Sequence, residues 1–194
     1  MKLIEALAAA FGIASVFLSA RQNVWNWPLG IINVALYIFV FHDAKLYADM
    51  GLQMVYVVLA AYGWWHWLHG GVNHGTLRVS RVPPREAILL AVAFFVGTAS
   101  LSTLLARATD ASLPLADSAL TTASLVAQYM MTRKYVESWL VWIAADVGYV
   151  AMFIYKSLWP TAGLYLVFCV LAVMGWRLWR ASLRETSAPE AAFA

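Results

Sequence analysis

Apolar residues run along this chain in long blocks, and short stretches of Gly, Pro and charge punctuate them. The blocks occupy 3–18, 28–41, 46–68, 87–106, 116–131, 138–155 and 160–178. A spanning helix needs about 20 predominantly apolar residues, so the pattern predicts seven transmembrane helices. The second is short, which tilt, aromatic anchors and local bilayer thinning accommodate. Composition agrees on the solvent: 63% of the 194 residues are hydrophobic and 12% charged, whereas a soluble domain carries about a quarter charged residues. Lys2, the apolar run after it, and Ser19 and Ala20 also fit a cleaved signal, but the repeat described below uses this segment as a helix. The single cysteine, Cys169, excludes a disulfide framework within one chain.

The net charge of +3 is explained by where the basic residues fall. Seven spans with a cytoplasmic C-terminus put Arg21, Arg78, Arg81, Arg85, Arg133, Lys134, Arg177, Arg180 and Arg184 inside and leave Lys2, Lys45, Arg107 and Lys156 outside. Cytoplasmic loops collect Lys and Arg, so the expected topology is N-terminus outside, C-terminus cytoplasmic. Nucleic-acid binding is not needed to explain these loops. The run 76–82 alternates as a short strand would, capping the cytoplasmic end.

An offset of 112 residues aligns 21–67 with 133–179 without a gap, and about 16 of 47 positions are identical. The identities include Arg21/Arg133, Trp27/Trp139, Tyr37/Tyr149, Phe41/Phe153, Gly51/Gly163 and Gly63-Trp64/Gly175-Trp176. Shared apolar composition does not select Arg, Trp and Gly together, so the chain reads as a duplication. Each copy holds three helices, and the intervening fourth restores the orientation of the second copy. The expected fold class is all-α integral membrane, seven transmembrane helices in a 3+1+3 arrangement with two parallel three-helix repeats: 1–68, then a cytoplasmic loop and linker helix over 69–112, then 113–181, then a disordered cytoplasmic tail over 182–194. Parallel repeats of this kind are a transporter plan, with substrate bound near the midplane.

Polar residues at membrane depth are the candidate site. Trp139, Trp142, Asp146, Tyr149 and Phe153 are spaced three, four, three and four apart and share one helical face. The bland reading is an interfacial aromatic belt with Asp146 bonded to a neighbouring helix. An ionisable group near mid-bilayer costs roughly 3 kcal/mol or more, and such groups face a cavity or a substrate path. In the first copy Val34 stands where Asp146 does, with Asn33 beside it. Gln53, with Asp49 and Tyr56 one turn to either side, aligns with Tyr165 and reads equally as pocket residue or interhelical bond; Gln128 reads as a bond. Trp27 and Tyr37 are the first-copy partners of Trp139 and Tyr149. Aromatic faces with carboxylate and amide groups describe a site for a nucleoside- or vitamin-sized ring, and a cationic ring gains further from indole faces. Catalysis is poorly supported, with no HExxH, phosphate loop or GxSxG motif. His66, His69 and His74 are expected to be solvated loop residues rather than metal ligands. No cofactor is expected.

The strings "RKYVESWLVWIAADV" and "GIINVALYIFVFHDAKLYADMGLQ", with "YGWWHW" closing the third helix, resemble the Pnu family of bacterial inner-membrane vitamin transporters, its nicotinamide riboside members above all. The resemblance covers nearly the whole chain and is weakest in helices one and four. It implies a full-length relative of the SWEET sugar transporters and a homotrimer. It also implies facilitated diffusion of an unphosphorylated vitamin that a cytoplasmic kinase then traps. By position, Trp139, Trp142 and Asp146 match the helix-six motif, Asn33 the helix-two polar residue and Gln53 the helix-three glutamine, which assigns the tryptophans to stacking and the polar groups to ribose or carboxamide. Many nicotinamide riboside members carry Asn where this chain has Asp146, and relatives for thiamine, riboflavin and deoxynucleosides exist, so thiamine and proton-coupled transport through Asp146 stay open.

Overall fold

The computed structural model describes residues 2–43, 47–108 and 113–191, and the fold is all-helical. Among the described residues seven α-helices follow one another: α1 (Lys2–Ala20), α2 (Asn26–Asp43), α3 (Tyr47–His69), α4 (Pro84–Ala108), α5 (Pro114–Thr132), α6 (Ser138–Tyr155) and α7 (Trp159–Ala191). Pro28, Pro84, Pro114 and Pro160 each sit in the first turn of a helix, where the missing N–H removes no intrahelical bond. The last helix continues past the apolar block to Ala191, through residues whose composition predicts a disordered tail. Arg, Leu, Ala and Glu after residue 179 are good helix formers, and extending an existing helix avoids the cost of nucleation. Lys45, residues 109–112 where the second copy is expected to begin, and the side chain of Asp49 lie outside the described residues.

Among the described residues, four helices are long and apolar enough to cross a membrane: Leu3–Ala20, Pro84–Ala108, Ser138–Tyr155 and the Trp159–Glu185 part of α7. The polar content of α2, α3 and α5 keeps them below that mark. It includes Asn33, Gln53, Ser118, Thr122, Ser124 and Gln128. Asn33 and Ser124 bond backbone carbonyls, Asn33 that of Ala8 on α1 and Ser124 that of Leu120 in its own helix.

Helix contacts repeat with the sequence. α1 packs on α2 and α2 on α3, as α5 packs on α6 and α6 on α7; between the copies α1 meets α7 and α3 meets α5. α4 packs on α5 and has no counterpart.

The core cluster is built from aligned residues. Trp27 meets Trp67 edge to face at 5.3 Å and 88°, and Trp139 meets Trp179 at 5.4 Å and 88°. Trp67 and Trp179 touch each other across the join at 5.8 Å. Their indole N–H groups donate to the opposite copy, Trp67 to the Met131 carbonyl at 3.0 Å and Trp179 to the Ser19 carbonyl at 3.1 Å. Met131 is the residue aligned with Ser19, so the exchange is reciprocal. A Cβ added to Gly63 would collide with the Trp27 ring, and one on the aligned Gly175 would collide with Trp139. Both tryptophans depend on a bare glycine backbone in the next helix.

The loop after α3 departs from the repeat. The alternating run 76–82 is extended, and Ser80 forms a single parallel bridge with Tyr135. Ser80 N–H donates to the Lys134 carbonyl at 3.1 Å and Val136 N–H to the Ser80 carbonyl at 3.0 Å. One strand residue is paired where a strand was expected.

Candidate functional site

Asp146 is 3% exposed on α6, and among the described residues no Lys or Arg stands within ion-pair distance of it. Its neighbourhood is aromatic. Tyr149, one turn on, stacks on Phe153 at 5.9 Å and 14° and lies 4.8 Å from the Tyr165 ring of α7. Tyr165 in turn meets Phe153 at 5.2 Å and Phe168 edge to face at 5.6 Å. Asp146 is within electrostatic reach of Tyr149, Tyr165 and Cys169, and Tyr165 also of Tyr56 on α3 and Tyr37 on α2. Asp146 and four phenols from both copies therefore share one region, with Asp117 also in reach of Tyr149 and Glu5 of Tyr37.

Ser124 of α5 ties that region together. Its hydroxyl donates to the Leu120 carbonyl at 2.8 Å and lies 3.3 Å from the Tyr149 hydroxyl. The three tyrosines Tyr56, Tyr149 and Tyr165 and the aspartate can offer a ligand flat ring faces, oxygen acceptors and one negative charge.

The expected site residues separate into two groups. Asp146, Tyr149 and Tyr37 belong to the cluster; Tyr37 stacks on Phe41 at 5.8 Å and 23°, as Tyr149 does on Phe153. Trp142 is half-buried and flanks the tryptophan core. Asn33 donates its amide to the Ala8 carbonyl at 2.6 Å, seated over Gly12 of α1, which commits one of its two N–H donors. Gln53 is half-buried on α3. Trp27 and Trp139, 3% and 1% exposed, pack against Gly63 and Gly175 in the tryptophan core. Tyr56, Tyr165 and Ser124 join the site without having been assigned to it. The available signals were alignment of Tyr165 with Gln53, the place of Tyr56 one turn after Gln53, and Ser124 standing where the first copy has Gly12.

The R-K-Y-x-E stretch serves the end of the molecule rather than this cluster. Lys134 donates to the Leu77 carbonyl at 2.9 Å with its ammonium 4.6 Å above the Trp67 ring, and burial pushes it down to about 8. Val82 N–H donates to the Glu137 carboxylate at 3.0 Å. Glu86 at the start of α4 accepts from the hydroxyls of Tyr129 and Tyr135 and lies 3.9 Å from Arg133. Burial is the first cause, and the bond to Glu86 the second, that raises Tyr135 above the usual phenol range. These contacts fasten the loop and α4 to the second copy. Between α4 and α5 runs a groove of about 1070 Å³, lined by Leu89, Ala93, Gly97, Leu101, Leu125 and Val126 among others. It shares no residue with the aspartate–tyrosine cluster, and its apolar lining suits lipid better than a vitamin.

Known proteins match this arrangement. The family model described as "Nicotinamide mononucleotide transporter" covers residues 2–181. The nicotinamide riboside transporter PnuC of Escherichia coli is 28% identical, covering 94% of this chain and 87% of that protein. The riboflavin/roseoflavin transporter RibM of Streptomyces davaonensis is 26% identical, covering 92% and 84%. A solved structure, the crystal structure of the vitamin B3 transporter PnuC, superposes with a TM-score of 0.75 at 25% identity, covering 94% of this chain and 83% of that one. With the family model spanning all seven helices, this chain belongs to the nicotinamide mononucleotide transporter family, the PnuC family.

Proposed function

We propose that this protein takes up nicotinamide riboside across the bacterial inner membrane by facilitated diffusion, with a cytoplasmic kinase trapping the product. The observation that carries the substrate is Asp146, a carboxylate without a Lys or Arg partner among the described residues, close to the Tyr149 and Tyr165 rings. A cationic aromatic ring would supply the missing charge and stack on the rings. Relatives whose names specify nicotinamide riboside support the same reading.

The architecture we infer is 3+1+3, with α1–α3 and α5–α7 as parallel repeats and α4 as linker, all seven crossing the bilayer. The units would be 1–68, 69–112 and 113–181, followed by a cytoplasmic segment over 182–194. The paired helix contacts and the reciprocal Trp67 and Trp179 bonds support it. N-outside, C-inside follows from the basic loops. The lining set is Asp146, Tyr149, Tyr37, Trp142, Asn33 and Gln53, with Tyr56 and Tyr165 added. A homotrimer is the assembly the family resemblance implies.

Asp146 also favours a second reading, thiamine, whose ring is cationic and whose aminopyrimidine offers donors to a carboxylate. Titrating purified protein with each vitamin while following tryptophan fluorescence separates the two. Saturable quenching by nicotinamide riboside and none by thiamine is expected; the reverse assigns the thiamine branch. Equal uptake into vesicles with and without a pH gradient is the expected result for facilitated diffusion, and a gradient requirement would make Asp146 a proton relay.

A further inference from the structure

The groove between α4 and α5 has a charged end that the aspartate–tyrosine cluster does not use. On α4, Arg85, Leu89, Ala93, Gly97 and Leu101 follow one another at four-residue spacing and line one wall. On α5, Thr122, Val126, Tyr129 and Arg133 line the other. The walls come together at Gly97, where an added Cβ would lie 2.9 Å from the Thr122 methyl carbon. α4 begins and α5 finishes at the same end, so both walls end in an arginine. Arg133 lies 3.9 Å from Glu86 and donates to the Tyr62 hydroxyl at 3.4 Å. Glu86 also accepts from the Tyr129 and Tyr135 hydroxyls, so its charge is engaged within the protein. Arg85 is exposed and has no hydrogen bond or ion pair among the described residues. The end of the groove therefore carries one uncompensated positive charge. From Arg85 to Leu101 the wall rises about 24 Å, more than half of the hydrocarbon core of about 30 Å.

We propose that this groove binds an anionic phospholipid, with an acyl chain laid between α4 and α5 and the phosphate on Arg85. A guanidinium matches phosphate in charge and geometry, and basic pockets between membrane helices hold anionic headgroups. Arg78 and Arg81 lie in the loop that enters α4 at this end and add to its positive potential. The face is open to lipid, since α4 is the least buried of the four apolar helices and packs on α5. A second copy of the chain seated here would bury Arg85 unless it brought a free carboxylate, because an unpaired buried charge is costly. A phospholipid brings both the apolar chain and the anion. Bound there, it ties α4, the helix without a counterpart, to the second copy. The site needs only that α4 lies in the bilayer, and it is independent of which vitamin the protein carries.

The test is native mass spectrometry of the purified full chain, titrated with phosphatidylglycerol or with phosphatidylcholine of the same acyl chains. Wild type is expected to retain one phosphatidylglycerol in preference to phosphatidylcholine. Arg85→Gln should lower that preference about fivefold, the attraction of one arginine for an anionic lipid, and Arg85→Lys should keep most of it. Ala93→Trp fills the groove below the headgroup and leaves Arg85 in place, so it should lower retention of phosphatidylglycerol by blocking the chain. Both positions are exposed, so neither variant disturbs a packed core. Equal retention of the two lipids by wild type, or a preference unchanged in both Arg85→Gln and Ala93→Trp, would mean that only unspecific boundary lipid is present and overturns the proposal. An oligomer that retains no lipid and breaks up in Ala93→Trp would assign the groove to a second copy and overturns it as well. Vitamin uptake does not enter these readouts, so a failure of the proposed transport function and a failure of this site are told apart.

Discussion

The two copies share a frame and differ in what the frame holds. Trp27 and Trp139, Trp67 and Trp179, Gly63 and Gly175 make the same contacts at the same angles. Even the turn before the second helix of each copy matches: Gln22 and Lys134, aligned residues, both adopt left-handed backbone at φ 56° and 58°. Around the candidate site the copies diverge. Asn33-Val34 faces Ala145-Asp146 in the alignment, Gln53 faces Tyr165, Tyr56 faces Phe168 and Gly12 faces Ser124. Duplication with retained tryptophan–glycine sockets keeps the helices registered, and that leaves polar positions free to specialise on an asymmetric ligand.

The largest expected effect lies in the shared frame. Gly63→Leu and Gly175→Leu each drive a side chain into a tryptophan ring that is already fully packed, and overpacking of this kind is relieved only by moving a helix. Both variants should lose the monodisperse peak on fluorescence-detected size exclusion, and to a similar degree. A well-behaved Gly63→Leu beside a collapsed Gly175→Leu would show that the two sockets are not equivalent.

These sockets also mark what could be read from the sequence. The identities Trp27/Trp139 and Gly63/Gly175 stood in one alignment, and they established the duplication. Helical spacing placed Trp139 on the face of Asp146, which made it look like a stacking residue. Periodicity says which residues share a face, but a face of a buried helix meets several neighbours, and only packing decides whether a side chain meets a glycine or an opening. Asp146 was legible because a carboxylate within an apolar run is costly wherever it points. Ser124 was not, because a serine in a helix ordinarily bonds its own backbone, and here it does so while also lying 3.3 Å from the Tyr149 hydroxyl.

The next effect breaks the difference between the copies. Asp146→Val installs the first copy's residue, removes the buried carboxylate of the cluster and preserves a packable side chain. Uptake of nicotinamide riboside should fall more than tenfold with the melting temperature unchanged or raised, since burying an unpaired carboxylate costs stability. Asn33→Ala should cost less uptake, because its amide already serves the Ala8 carbonyl. Equal losses would mean that the first copy contributes as much to the ligand as the second.

A smaller effect tests the loop after α3, which is fastened to the second copy. Lys134→Gln installs the residue of the aligned Gln22 and gives up the charge over Trp67, worth about 0.5–1 kcal/mol at an ordinary site. The pH dependence gives the sign. Burial holds the folded Lys134 at about 8 against an ordinary 10.5, so between those values the unfolded chain binds more protons and this group makes stability rise with pH. The melting temperature of wild type minus that of Lys134→Gln should therefore increase from pH 8 to pH 10. A gap that shrinks instead would mean that the Trp67 face and the Leu77 carbonyl outweigh burial and favour the ammonium.

The smallest effect concerns the other aligned glycine pair. Gly51 and Gly163 are identical in both copies, like Gly63 and Gly175, yet a Cβ at either meets nothing within 4 Å. Both lie in helices, where Ala is better than Gly by about 1 kcal/mol. On folded-state packing alone, Gly51→Ala and Gly163→Ala should each stabilise, raising the melting temperature by about 2–4 °C for a chain of this size. Uptake is the more informative readout. If it is unchanged, these glycines are bystanders of the duplication and the tryptophan sockets alone explain the shared frame. If stability rises while uptake falls, the open space beside Gly51 and Gly163 is filled in another conformation of the cycle, and the two copies would share a moving part as well as a fixed one.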